Sequence, residues 1–483
     1  MATRRQFLAK SLRASIALPA AGLLSRVAEA GTGPDLAGLA RRFPDLPHHF
    51  VFEYYPWYGG PPDYDHWDYL NRHPPLDIAS PYMPRLGPYD VRSRDVLEQH
   101  ARWIAEAGVG AIALSWWGRG SWEDQRVGSI MDVMRDHGVK VTFAMEPYAD
   151  NRASRYADDI LYLLREYGDK RGWDAFLILR NADGAEGPVF KGFRCILPET
   201  STDCLGRTTP ISDYTPDALW RRQTDTLRQA LRADFDHVTL LADSLEFHRT
   251  PASGFDGIGI YDNYIGPERY AGYAEGASRA RLLFSFNVNP GYLQIEPRQV
   301  SDPCYQPRTF APETAGLDLS RPEGRELAAR ASEERVRESF GATLAVQGDP
   351  ALENARRGFF LVYVNSFNEW HEGHAFEPMK DATDLTPAER ALGYANPARG
   401  DYRLRALAEL VRGLRRHELP REPRRHDANP EFDPALACAR GTSNSGIPLH
   451  VIEGVPLANP FRTPHLRGER RLLAAGSAIG SLL

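Results

Sequence analysis

Cysteine is scarce in this chain of 483 residues, which contains only Cys195, Cys204, Cys304 and Cys438. So few cysteines exclude a dense disulfide framework, and stability must therefore come from a hydrophobic core. No Cys-x-x-Cys pair is present, which argues against a structural zinc site. Cys195 and Cys204 flank a short polar loop and could bridge it as a disulfide.

Long apolar runs and an excess of positive charge are also missing. Beyond residue 30, no apolar run reaches the roughly 18 residues that a membrane span needs. The chain has 58 Lys and Arg against 64 Asp and Glu, a net charge of −6. Its first 30 residues hold five basic side chains against Glu29, so the remainder carries −10. This acidic balance argues against a nucleic-acid partner.

The N-terminal 30 residues have the pattern of an export signal. Arg4 and Arg5 are followed by Phe7 and Leu8, by a modest apolar stretch, and by an Ala-x-Ala at residues 28–30. This pattern predicts a twin-arginine signal peptide cleaved after Ala30 and a periplasmic or extracellular mature protein. Residues 31–47 are then expected to be a linker.

Strand-like apolar runs alternate with amphipathic, helix-like stretches from residue 48 to residue 416. Eight such runs, most of them separated by predicted helices, favour a single (β/α)8 barrel, in the α/β class, over this range. Gly108 and Gly138 occupy positions expected of helix C-caps. The predicted strands are HFVFEYYP, GVGAIALSWW, KVTFAMEP, DAFLIL, HVTLLAD, FDGIGIYDN, LLFSFNVNP and GFFLVYVNSFNE.

Three segments depart from this alternation. Residues 181–215 are rich in Gly, Pro and Thr and are interpreted as an insertion, and residues 291–324 show neither helix nor strand periodicity. Loops of this length in a compact domain are usually functional lids or disordered. Residues 417–483 are rich in Pro, Arg and His and are expected to form a C-terminal extension.

The predicted strands end in polar and aromatic side chains, except for the fourth. In a (β/α)8 barrel the active site lies at the carboxyl ends of the strands, so these side chains are candidates for substrate binding. They include Tyr55, Tyr58, Trp117, Glu146, Tyr148, Tyr261, Asn289 and Asn368.

Glu369 and Glu372 are three positions apart directly after the last predicted strand. One helical turn would place both on one face, and two carboxylates in one cleft tend to separate into an anion and a protonated acid. That division suits glycoside hydrolysis, in which one group acts on the leaving oxygen and the other drives attack at the sugar. The competing interpretation is a solvated helix face. His371 and His374 are three rather than four residues apart, unlike the zinc-protease helix, so we expect no metal and no organic cofactor.

The motifs, taken in order, resemble glycoside hydrolase family 99, the endo-acting α-mannosidases and α-mannanases. The similarity spans residues 50–378, and NEWHEG after a strand is the most specific part of it. It is carried by EYYPWYGG with DHW, PPLDIASPYMPRLGPYDVRSRD, GAIALSWW, KVTFAMEPY, GFDGI, NPGY and SFNEWHEG.

This resemblance implies a (β/α)8 fold and hydrolysis of internal α-mannosidic linkages with net retention, through a 1,2-anhydro sugar formed by the substrate's own 2-hydroxyl. Glu369 would deprotonate that hydroxyl, and Glu372 would be the general acid and then the base. A mannose-containing glycan is the implied partner. Trp117 favours a mannan substrate. The implied subsite residues are Tyr55, Tyr58, His66, Trp117, Glu146 and Tyr261.

One departure from the family concerns the leaving-group side. Family members typically continue from the PGY motif into an Arg-Pro-Trp-Asn stretch, whereas this chain reads NPGYLQIEPRQVSDPCYQPRTFAPE. Leaving-group specificity therefore stays open. Two other functions also remain: a non-hydrolytic carbohydrate-binding barrel in cell-envelope polysaccharide assembly, and a hydrolase of another α-glycan. Retention of both Glu369 and Glu372 favours an enzyme over a binding protein.

Overall fold

A computed structural model describes residues 36–261, 265–295 and 316–416. Its main sheet is parallel and wraps into a nearly closed barrel, which confirms the predicted (β/α)8 class. The barrel strands, in chain order, are β1 (Phe50–Tyr54), β2 (Ala111–Trp116), β3 (Lys140–Met145), β5 (Glu186–Gly192), β8 (Thr239–Ala242), β9 (Gly257–Gly259), β10 (Leu283–Ser285) with β11 (Asn287–Val288), and β12 (Val362–Val364).

One predicted strand closes the barrel in two pieces. β10 pairs with β9, and β11 pairs with β12, so the run LLFSFNVNP bridges the two edges of the sheet. β1 pairs with both β2 and β12, which joins the chain's first and last barrel strands.

The prediction of the fourth strand was wrong. Within DAFLIL, β4 (Ile178–Arg180) runs antiparallel to β5, and Phe176 makes only an isolated parallel bridge to Val141. The fourth barrel strand is β5, which pairs in parallel with β3 and β8. Residues 181–215 are therefore not a structureless insertion. They contain β5 and a small hairpin of β6 (Thr200–Thr202) and β7 (Thr208–Pro210).

Helices surround the barrel. Gly108 and Gly138 follow two of them with positive φ angles of 78° and 72°, as expected for helix C-caps. The helices are α1 (Leu36–Arg42), α2 (Arg94–Glu106), α3 (Asp124–Asp136), α4 (Arg152–Leu163), α5 (Asp217–Leu231), α6 (Arg249–Ala252), α7 (Tyr270–Arg279), α8 (Pro322–Gly348), α9 (Glu353–Arg356), α10 (Pro387–Ala391) and α11 (Tyr402–Arg415).

Successive side chains along each strand point to opposite faces of the sheet, so the core has two parts. Phe50 and Phe52 of β1 belong to the layer between strands and helices, where they meet helix residues such as Phe340. Val51 lies in a separate cluster with Ala111 and Leu241, on the other face of the sheet. The same face carries Glu53, which pairs with Lys191 of β5 in the barrel interior.

The chain around the barrel differs from expectation at two points. The predicted linker includes α1, whose Leu39 is buried in the main core together with Phe43. Cys195 is a buried free thiol while Cys204 is disulfide-bonded, so these two do not bridge their loop. The predicted signal peptide (1–30) and C-terminal extension (417–483) lie outside the described residues. Within the described ranges, every helix is too short or too polar to cross a bilayer.

Candidate active site

The segment after β12 forms a turn at the carboxyl end of the barrel. The Gly373 N–H donates to the Trp370 carbonyl (3.2 Å), and the Glu372 carbonyl accepts from Leu293 N–H (3.1 Å). Gly373 has φ +66°, and a Cβ there would lie 2.2 Å from the Leu293 carbonyl oxygen. Only glycine fits this close approach. The chain therefore makes a tight turn here rather than a regular helix.

Glu369 is buried beside His371. The Nδ1 atom of His371 lies 3.2 Å from Glu369 Oε1, and its Nε2 lies 2.7 Å from the His66 carbonyl oxygen. A carbonyl only accepts, so Nε2 must donate, and Nδ1 faces the carboxylate. Burial raises the pKa of Glu369 above its ordinary value. His371 thus faces Glu369 and also makes a hydrogen bond to the loop that carries His66.

Glu372 has a different environment from Glu369. Its side chain is 26% exposed. Its Oε2 accepts the Tyr261 hydroxyl hydrogen at 2.7 Å and lies 2.8 Å from His374 Nε2. A partly exposed carboxyl can exchange protons with solvent water as well as with a bound substrate.

Glu146 is the third carboxyl of the site. It follows β3, and its Oε1 accepts the Ser115 hydroxyl hydrogen (3.0 Å), while Ser115 Oγ accepts from Trp117 Nε1 (3.1 Å). Burial raises the pKa of Glu146 to about 8. It is therefore mostly a neutral acid near pH 7 and can donate a hydrogen bond.

Tyr55 lies among these three carboxyls. Asn368 Oδ1 accepts the Tyr55 backbone N–H (2.8 Å), and its Nδ2 donates to the Tyr55 carbonyl (3.0 Å). Burial, and then the charges of Glu146, Glu369 and Glu372, raise the pKa of the Tyr55 hydroxyl. Asn368 thus joins the end of β1 to the turn after β12.

Two predicted subsite residues, Tyr58 and Tyr148, make hydrogen bonds to other protein groups around the site. Tyr58 stacks on Trp67 with centroids 4.2 Å apart, and its hydroxyl accepts the Trp370 N–H at 3.0 Å. Tyr148 donates to Asp159 Oδ2 at 2.7 Å.

Two further predicted residues lie deeper. His66 is buried and stacks on Trp57, with ring centroids 4.8 Å apart. Asn289 is fully buried, where it donates to Asn287 Oδ1 at 2.7 Å and accepts from Arg335 Nε at 3.1 Å. The structure brings Tyr55, Glu146, Tyr261, Glu369 and Glu372 together, with Trp117 linked to Glu146 through Ser115.

Sequence reasoning missed two groups that shape this site. Glu377 is fully buried, and its Oε2 accepts from Tyr89 Oη at 2.7 Å and from Trp370 Nε1 at 3.0 Å. The second group is His374, whose Nε2 lies 2.8 Å from Glu372 Oε2. Nothing in residue spacing indicates either contact, because both depend on how the chain turns after β12.

The barrel and its paired carboxylates define the class of protein, a glycoside hydrolase. A model described as Glycosyl hydrolase family 99 matches residues 45–180. The glycoprotein endo-α-1,2-mannosidase-like protein of Mus musculus is 26% identical over 71% of this chain and 71% of its own length. The corresponding protein of Danio rerio is 27% identical over 68% of this chain and 72% of its own length.

The fold agrees with these relatives. The family 99 endo-α-mannosidase from Bacteroides thetaiotaomicron superposes with a TM-score of 0.54 at 22% identity, covering 76% of this chain and 98% of that one. The chain is an endo-acting glycoside hydrolase whose substrate is a glycan, and it is similar to family 99 over the ranges given above.

Proposed function

We propose that the enzyme hydrolyses internal α-mannosidic linkages of a polysaccharide or glycan with retention, through a 1,2-anhydro sugar. The observation that supports the proposal is that two carboxyls on one turn have different environments. Glu369 is buried beside His371, whereas Glu372 is partly exposed and accepts from Tyr261. A base that acts on a substrate hydroxyl and an acid that later activates water need these two environments.

In the first step the substrate supplies its own nucleophile. Glu369, whose pKa burial raises, takes the proton of the 2-hydroxyl, and O2 attacks C1. Glu372 protonates the departing oxygen as the C1–O bond breaks, which leaves a 1,2-anhydro sugar. In the second step Glu372, now anionic, takes a proton from water while the water oxygen attacks C1. O2 recovers its proton from Glu369. Two inversions at C1 give net retention.

The chemistry of O2 favours a mannoside. In an α-mannoside, O2 and the leaving oxygen are trans, so O2 can attack C1 from the rear. In an α-glucoside they are cis, and that attack is blocked. Trp117 and Tyr55, with one polar atom each at the edge of an aromatic face, suit stacking on sugar C–H surfaces. These points support mannan or a mannose-rich glycan as substrate.

A glycan panel tests this proposal. Mature enzyme should release oligosaccharides from an α-mannan, and proton NMR should detect the α-anomer first. Glu372→Gln should abolish hydrolysis, and Glu369→Gln should do the same, since each removes one proton transfer. Glu166→Gln, an exposed change on the surface, is the matched control.

Two outcomes would overturn the proposal. Initial release of the β-anomer would exclude retention. Normal cleavage of an analogue that lacks the 2-hydroxyl would exclude participation of O2, because no anhydro sugar could then form.

We also propose that residues 1–30 direct export by the twin-arginine route, which would place the enzyme outside the cytoplasm near an extracellular glycan. The support is the Arg4–Arg5 pair and the Ala-x-Ala at residues 28–30. Replacing both arginines by lysine should leave the protein in the cytoplasmic fraction. Unchanged export of that variant would contradict the proposal.

A further inference from the structure

His374 lies directly after the turn that carries Glu369 and Glu372, and it is fully buried. Its Nε2 lies 2.8 Å from Glu372 Oε2, the same oxygen that accepts the Tyr261 hydroxyl hydrogen at 2.7 Å. The ring packs edge-on against Tyr292, with centroids 4.9 Å apart, and 6.3 Å from the Tyr261 ring. The imidazole is therefore held between two aromatic rings with one edge on the carboxylate.

An arginine from the last helix fixes the backbone on both sides of His374. Arg403 of α11 is buried, and its Nη1 donates to the Gly373 carbonyl at 2.8 Å and to the Ala375 carbonyl at 3.0 Å. These two carbonyls flank His374. Rotating the imidazole off Glu372 by a backbone movement would break both bonds. The contact between His374 and Glu372 is thus built into the fold.

The surroundings of His374 determine which nitrogen carries its proton. Nδ1 is buried and has no hydrogen-bond partner among the residues that the structure describes. A buried N–H without an acceptor is costly, so the proton belongs on Nε2, where Glu372 Oε2 accepts it. Oε2 then receives two donors, Tyr261 O–H and His374 Nε2–H.

We infer that His374 is a positioning residue for Glu372: with Tyr261 it fills the acceptor sites of Oε2, so that the proton transferred in catalysis resides on Oε1. An oxygen that already accepts two hydrogen bonds suits the carbonyl oxygen of a carboxylic acid. The inference rests on the proposed role of Glu372 as the general acid. It adds a residue to which the sequence pattern assigned no function.

The groups around His374 are few. Glu372 and Glu369 come from its own segment, Tyr261 from the loop after β9, Tyr292 from the loop after β11, and the Arg403 guanidinium from α11. Tyr261 and Tyr292 stay neutral in the range where carboxyls titrate. A pH effect of changing His374 in the acidic and neutral range is therefore expected to report on the two carboxyls.

Two variants separate positioning from packing. His374→Leu removes the donor, and His374→Gln restores an amide N–H in a similar volume. We expect His374→Leu to lower kcat about ten- to a hundredfold on a mannan oligosaccharide. The loss should be less than about threefold on an aryl mannoside with a weakly basic phenolate, which departs without a proton. His374→Gln should recover most of the activity.

The pH profile gives a second reading. Losing a donor to the carboxylate favours the protonated acid, so the basic limb of kcat/KM against pH should move to higher pH in His374→Leu. His49→Gln is the matched control, because His49 is also buried and lies 3.3 Å from Asp45 at the opposite end of β1. Its profile should match that of the wild type. Equal losses on both substrates, or full activity of His374→Leu, would overturn the inference.

A test without substrate distinguishes this inference from the proposed function. Nitrogen-15 NMR of histidine-labelled enzyme should show His374 as the Nε2–H tautomer, with the resonance assigned by its loss in His374→Gln. An Nδ1–H tautomer would overturn the positioning role whatever glycan is cleaved. Conversely, failure to cleave mannan with an Nε2–H tautomer present would count against the substrate alone.

Discussion

Tyr261 donates its hydroxyl hydrogen to Glu372 Oε2 across 2.7 Å, which joins the loop after β9 to the turn after β12. Tyr261 is held by its own backbone: its N–H donates to Asp243 Oδ1, and its carbonyl accepts from Asn287 and Asn365. These bonds come from the ends of β8 and β12 and from β11, and they fix the backbone that carries the hydroxyl. The carboxyl that we propose as the general acid therefore contacts a residue 111 positions away in the sequence.

Tyr261→Phe should lower kcat/KM about ten- to a hundredfold, since hydrogen bonds to charged groups contribute about 1.5–3 kcal/mol. Steady-state kinetics on a glycan substrate measure it. Tyr394→Phe is a suitable control, because its hydroxyl bonds the Leu76 carbonyl at 2.6 Å, away from the carboxyls. A Tyr261→Phe enzyme as active as the control would show that the bond does not matter for catalysis.

Glu146 should behave as a neutral acid. Its pKa rises from 4.5 to about 8 in the folded protein, so the folded state binds the proton more tightly than the unfolded state. The resulting stability is present below about pH 4.5 and is lost as the pH rises to about 8. Glu146→Gln cannot titrate, so its melting temperature relative to wild type should be higher at pH 8 than at pH 5.

The Glu146→Gln variant should also differ from Glu146→Ala in activity. Glu146→Gln keeps an uncharged group that can accept from Ser115 and should retain more activity at pH 7 than Glu146→Ala. Thermal melts at the two pH values and kcat/KM at pH 7 measure both effects. If the difference in melting temperature between Glu146→Gln and wild type were the same at pH 5 and pH 8, the folded state would not bind the Glu146 proton more tightly than the unfolded state.

Lys191 and Glu53 should be stabilising only as a pair. They contact each other inside the barrel, both nearly fully buried, and the Lys191 ammonium lies 4.3 Å from the Tyr363 ring centroid. Lys191→Met alone would leave a buried carboxylate unpaired and should cost about 3–5 kcal/mol in the free energy of unfolding. Replacing both residues, Lys191→Met with Glu53→Leu, should recover most of that loss. Urea unfolding of the single and double variants measures the coupling, and additive effects would contradict it.

We expect Glu377 to stabilise the folded protein, because its carboxylate accepts hydrogen bonds from buried donors. Removing its carboxylate in Glu377→Ala leaves Tyr89 O–H buried without an acceptor and leaves Trp370 Nε1–H only its longer bond to the Tyr89 hydroxyl oxygen at 3.3 Å. His100 Nε2 also loses the carboxylate oxygen that lies 3.2 Å away. Each unsatisfied group costs about 1–3 kcal/mol. Glu377→Gln keeps one acceptor oxygen and should lose less. Equal unfolding free energies for both variants would show that the carboxyl oxygens are not needed as acceptors.

The sequence predicted seven of the eight barrel strands because buried parallel strands read as continuous apolar runs. It failed at the fourth, where DAFLIL is more apolar than EGPVFKG. EGPVFKG does not have the composition of a buried strand because it contains Lys191, whose side chain points into the barrel. Pairing with Glu53 is what makes burial of this lysine possible. Apolar composition cannot indicate which polar residue will find a buried partner.

What the sequence determined by itself is the barrel, the end of it that carries chemistry, and the two glutamates after the last strand. Those follow from strand periodicity, from the position of polar residues at strand ends, and from motifs. The tertiary structure alone decided how the carboxyls differ. His371 contacts Glu369, and Tyr261 and His374 both contact one oxygen of Glu372. The Tyr261–Glu372 bond joins residues 111 positions apart and depends on barrel closure, whereas the two histidine contacts depend on how the chain turns after β12. Local sequence records neither geometry.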